Sequence, residues 1–225
     1  MRTVDTALLR PTVRTVPWRV IGAAGTLGLL LAAAPRLTGG EADARLALNA
    51  LRAAAVAFAL GAAFVLDDPA RHTTAAVPTR RAVRHGLRVL LVAPVAAVWW
   101  TAALLLVPGS ARPPAAGITL EAATALALAL AGAALTIHRG DVTRPGQAVA
   151  AFLLVGSVLA PLLVPGGWGL FTTPDDTGWA AAHDRWAALL CVTVVVGVVC
   201  AAEPRRRLTL WGLRSPSGTS GPSRA

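Results

Sequence analysis

A chain of 225 residues that is 55% hydrophobic and only 14% charged departs from soluble domains, where about 25% of residues are charged. A soluble core holding so much apolar matter is hard to build in 23.0 kDa, so a bilayer is the simpler solvent. The formal net charge is +10 and every basic side chain is arginine; the arginines lie in short stretches between apolar runs, which suits topology signals and anionic headgroups rather than nucleic acid.

Residues 1–19 read as a basic arm carrying Arg2, Arg10, Arg14 and Arg19, with Trp18 placed as an interfacial anchor. The first apolar run, 20–34, follows this arm in the order of a signal peptide. Its small-residue stretch Ala32–Pro35 is a weak cleavage site and further apolar runs follow, which favours a retained span. Gly22, Gly25 and Gly28 drift slowly around one face of it and suit close helix packing. After a turn at 35–45 the second span covers 46–66, with Arg52 near one end. A polar connection, 67–88, leads to the third span at 89–107, where Pro94 is a candidate kink. The breaker-rich turn 108–117 precedes a fourth span at 118–137, with Glu121 near its start. The fifth span is 147–164, with an interior Pro161, and the sixth is 186–202. Between them, 165–185 reads as a loop in which Trp168, Phe171 and Trp179 favour the interface. The three arginines at 205–207 close the sixth span, and 208–225 is a polar tail.

The expectation is an all-α, polytopic integral membrane protein of six transmembrane helices. An even number puts both termini on one side. The arm, the 67–88 connection, the 138–146 turn and the tail hold sixteen arginines, against five on the other side, Arg52 included. Acids divide five against six. The inside-positive rule therefore makes both termini cytoplasmic, in a plasma membrane.

Signatures of catalysis are sparse. There is no lysine to complete a phosphate-binding loop, no HExxH and no nucleophile elbow. The chain is therefore not expected to be an enzyme, nor to need a metal or cofactor. His183 and Asp184 lie near Asp175 and Asp176, but read as part of a solvated loop before they read as metal ligands. Cys191 and Cys200 stand about 13.5 Å apart along a helix axis, too far for a disulfide, and read as small buried apolar side chains. Arg52 and Glu121 are the charges within spans. Such charges face a bundle interior or the headgroups; these two either pair between the second and fourth spans or snorkel outward separately.

The connection 67–88 has a local logic of its own. Asp67 or Asp68 can cap a helix beginning at Pro69, and Thr79 can cap a second one after Pro78, running on into the third span. Arg80, Arg81, Arg84 and Arg88 then share much of one face, suited to lipid phosphate or to an acidic groove on a partner. The segment FVLDDPARHTTAAVPTRRAVRHGLR resembles a pattern in membrane proteins of actinobacteria, which are similar to the permease subunits of type 2 ATP-binding cassette exporters. The resemblance implies a six-helix half-transporter whose short helix between the second and third spans docks a separate ATPase subunit. Asp67, Asp68, Pro69, Thr73, Ala76, Pro78, Arg80, Arg81 and Arg84 stand where that docking element belongs. It further implies a second copy or a sister permease as partner. One departure is that 166–185 is short for the outer re-entrant helices the family often carries. The competing readings are a non-transporting membrane accessory or scaffold protein, and a lipid-modifying enzyme using the Asp175–Asp184 group.

Overall fold

In the computed structural model, residues 13–37, 43–67, 81–140, 144–163 and 169–201 are described, the side chains of Arg81, Ala82 and Arg84 excepted. Six long helices follow one another: α1 (Trp18–Leu37), α2 (Ala44–Ala62), α3 (Arg81–Leu106), α4 (Ala115–Arg139), α5 (Gly146–Leu163) and α6 (Trp179–Ala201). A tight 3-10 turn, Ala63–Leu66, prolongs α2. All six are long and apolar enough to cross a membrane. The chain is thus an all-α, polytopic membrane protein.

The ends of these helices are set by local chemistry. Asp43 starts α2, its Oδ1 accepting from Arg45 N at 2.8 Å, which satisfies an amide the helix itself leaves without a partner. α3 is one continuous helix from Arg81 and passes through Pro94, as α5 passes through Pro161. α6 begins at Trp179 rather than at 186, so the sequence 179–185, expected in a loop, forms its first two turns. Ala180, Ala181 and Ala182 are strong helix formers, and a polar stretch is tolerated where it packs or reaches the headgroups.

Helices alternate in direction. The C-termini of α1, α3 and α5 and the N-termini of α2, α4 and α6 form the upper end. The reverse set forms the lower end. α2 is the central element and the most deeply buried of the six, whereas α5 and α6 are largely exposed. It packs against α1 and α4, and α4 in turn carries α6. Alanine dominates its buried face (Ala47, Ala50, Ala54, Ala55, Ala57, Ala59, Ala62), which lets neighbouring backbones come close. The outer faces are apolar: Leu90 and Val98 on α3, Phe152 and Leu162 on α5, and Val192, Val195 and Val198 on α6 are exposed, as suits a surface turned to acyl chains.

The core has two layers. The lower one gathers Ile21, Phe58, Val65, Val92 and Val149; the upper one gathers Leu48, Leu51, Val107 and Ile118. Trp99 joins them. Its ring stacks on Phe58 at 4.3 Å and its Nε1 donates to Gly25 O at 2.9 Å. Gly28 makes the slot for that ring: a Cβ there would stand 2.5 Å from Trp99 Cζ2 and 3.1 Å from Ala54 O. Of the three α1 glycines, Gly25 and Gly28 are buried and Gly22 faces open space. Both cysteines are free, but Cys191 is exposed on the helix surface rather than buried, because the valine-rich face of α6 that carries it has no helix against it among the described residues.

Candidate functional site

The upper half of the bundle holds a polar network in otherwise apolar surroundings. Arg52 lies eight residues into α2 and Glu121 six into α4, so both sit about 9–12 Å inside their helix starts. The structure brings them together. Arg52 Nε donates to Glu121 Oε2 at 2.7 Å and Nη2 donates to Oε1 at 2.8 Å, a fork-to-fork pair. The side chains keep 13% and 5% of their exposure. Neither charge reaches water alone; each is compensated by the other, the arrangement a buried ion pair requires.

The segment 169–178 covers this pair from above. Arg52 Nη2 also donates to Thr172 O at 2.9 Å, and its guanidinium carbon lies 5.5 Å from the Phe171 ring centre. Two side chains of α6 hold the same segment: Arg185 Nη1 donates to Gly169 O at 3.1 Å and Trp186 Nε1 to Leu170 O at 2.8 Å. Phe171 meets Trp186 edge-on at 5.6 Å.

His183 completes the network. Its Nε2 is 3.5 Å from Glu121 Oε1, and its Nδ1 is 2.8 Å from Trp179 O. The imidazole lies against the Trp179 ring at 4.1 Å. Gly117 of α4 leaves it room: a Cβ there would be 2.6 Å from Nε2. The expectation for His183 was a solvated loop. It is instead a side chain of the interior, on the face of α6 that carries Trp179 and Trp186. Those three residues are spaced by four and three, which is the signal that marks one helical face. Its neighbours Asp175, Asp176 and Asp184 are exposed, and among the described residues no three metal-ligating side chains gather.

At the lower end the residues flanking the arginine-rich connection are tied down. One Asp67 carboxylate oxygen accepts from Gly146 N at 2.8 Å, which caps α5 from a residue 79 positions earlier. Arg88, 5% exposed, donates through Nη1 to Asp67 O at 3.0 Å and to Val65 O at 3.4 Å. Burial pushes the Asp67 carboxyl above its ordinary value of 3.8, against the Gly146 N–H and the charges of Arg144 and Arg88, which pull it down. Asp67 thus spends its acceptor on α5; a helix beginning at Pro69 falls outside the described residues. So do Asp68, Pro69, Thr73, Pro78 and Arg80, while Arg81 and Arg84 stand in the first turn of α3.

Compared with protein-family models, with curated proteins and with solved structures, the chain finds no match.

Proposed function

We propose that this chain is the membrane subunit of an ATP-driven exporter in the plasma membrane, with both termini cytoplasmic. In this reading the connection between α2 and α3 docks a separate ATPase subunit, any ATP hydrolysis belongs to that partner, and a second copy or a sister permease completes the transporter. The observation that carries it is the binding-together of the two roots of the connection. Asp67 at the end of α2 is bonded to the start of α5, and Arg88 on α3 is bonded to the carbonyls of Val65 and Asp67. A push on the connection is therefore delivered to α2, α3 and α5 together, as coupling to a moving partner needs. The excess of arginine at this end of the chain supports its cytoplasmic placement.

The test is affinity purification of the detergent-solubilised chain from its native cell, with mass spectrometry of what comes with it. An ATP-binding-cassette ATPase is expected in the wild-type eluate and is expected to be lost when Arg80, Arg81 and Arg84 are all changed to Glu. A complex that survives the triple reversal overturns the docking role. Labelling of a cysteine placed in 68–80 from outside intact cells overturns the orientation.

A further inference from the structure

The polar network at the upper end carries a consequence independent of the exporter reading. A carbonyl oxygen only accepts hydrogen bonds, so the 2.8 Å contact between His183 Nδ1 and Trp179 O places a hydrogen on Nδ1. Neutral His183 then has a bare lone pair on Nε2. That atom is buried, has no hydrogen-bond partner among the described residues, and stands 3.5 Å from Glu121 Oε1. Two electron-rich atoms face each other. A proton on Nε2 turns the same contact into a charge-assisted hydrogen bond, and the Glu121 carboxylate has lone pairs left after serving Arg52.

We infer that His183 and Glu121 form a proton-binding latch: uptake of one proton at Nε2 fastens α6, and with it the segment 169–178, onto the Arg52–Glu121 pair of α2 and α4. The charges around it fit this role. Glu121 faces Nε2 from α4, and Arg52 of α2 stands behind that carboxylate. On α6 itself Asp184 is exposed and Arg185 is turned to Gly169 O. In the covering segment Asp175 and Asp176 are exposed, with Asp176 Oδ1 bonded to Gly178 N at 2.8 Å. The ionisable residues of α3 lie at its opposite end. Among the described residues Glu121 is thus the acidic partner within reach of Nε2. Because 169–178 hangs on Arg52, Arg185 and Trp186, closing the gap between α6 and Glu121 tightens all three attachments at once.

The test uses the full chain in lipid nanodiscs between about pH 8 and pH 5, the range in which imidazole changes charge. Hydrogen–deuterium exchange of peptides spanning 169–186, corrected for the intrinsic pH dependence of amide exchange, is expected to slow about tenfold on acidification, the effect of one charge-assisted hydrogen bond on local opening. His183→Gln is expected to remove that pH dependence. Nitrogen-15 spectra of the histidine-labelled wild type, assigned with the same variant, are expected to show a hydrogen on Nδ1 throughout and one gained on Nε2 in acid. This second reading needs no variant that disturbs Arg52. An absence of acid-dependent slowing in wild type, its persistence in His183→Gln, or a neutral form with its hydrogen on Nε2 each overturns the latch.

Discussion

Removing Glu121 while leaving Arg52 in place isolates what the ion pair does. Glu121→Gln keeps the shape of the side chain but deletes the charge that compensates a guanidinium only 13% exposed. Arg52 retains its bond to Thr172 O and its place over Phe171, so it is not stripped of every partner. It loses the fork-to-fork pair: the amide oxygen can still accept one of the two bonds, but the amide NH2 cannot accept the other. An uncompensated charge at this burial costs about 3–5 kcal/mol, and the retained carbonyl and ring put the expected loss near the lower figure, about 3 kcal/mol. The double variant Arg52→Met with Glu121→Leu deletes both charges and fills the space with apolar atoms. Its expected stability lies within about 1 kcal/mol of wild type, because no desolvated charge is left behind. The assay is reversible unfolding in detergent followed by tryptophan fluorescence, with the cycle closed by Arg52→Met, Glu121→Leu and their double variant, and Glu121→Gln measured alongside. A Glu121→Gln variant within about 0.5 kcal/mol of wild type, or a double variant as unstable as the sum of the singles, refutes the claim that these charges stabilise the bundle only as a pair.

Two further outcomes are expected. Gly28→Ala drives a methyl group into Trp99 and the Ala54 carbonyl and is expected to lower stability by about 1–3 kcal/mol, whereas Gly22→Ala meets nothing within 4 Å and is expected to be neutral or slightly stabilising; paired thermal melts in one detergent measure both. At the lower end, Asp67→Ala removes the cap of α5 and is expected to cost about 1 kcal/mol, while Asp67→Asn keeps an oxygen for Gly146 N–H. Since burial raises the Asp67 carboxyl above 3.8, its contribution is fully present below that pH and is lost as pH rises through the folded-state value. Asp67→Asn is therefore expected to gain on wild type as pH rises, in melts recorded from about pH 3 to pH 8; a difference that stays flat or falls contradicts the assigned burial penalty.

The six helices were legible because each is a long apolar run bounded by arginine, proline or glycine, and that signal does not depend on tertiary context. Arg52 and Glu121 stood out for a related reason: a charge inside such a run is expensive enough to need an explanation. Whether they met or parted was open, since depth along a helix says nothing about which faces turn toward each other. His183 read as part of a solvated loop because residues 179–185 are polar on average, and averaging hides the one-sided spacing with Trp179 and Trp186. The part played by Asp67 was beyond local reasoning. Its nearest sequence use is a cap for the residues just after it, and the amide it serves lies in the fifth helix.

The shape of α5 has a consequence for the surrounding lipid. Its buried residues, Gly146 and Val149, both lie in its first turn, Ala150 and Leu153 pack partly against the lower core, and Phe152, Val155, Leu159 and Leu162 are exposed. At 18 residues it is also the shortest of the six, about 27 Å from end to end. Among the described residues its ties to the bundle gather toward the Gly146 end, and the apolar face beyond them is of the kind that acyl chains cover. A helix this short and this sparsely packed is expected to answer a change in hydrocarbon thickness by tilting before the α2–α4 pair does.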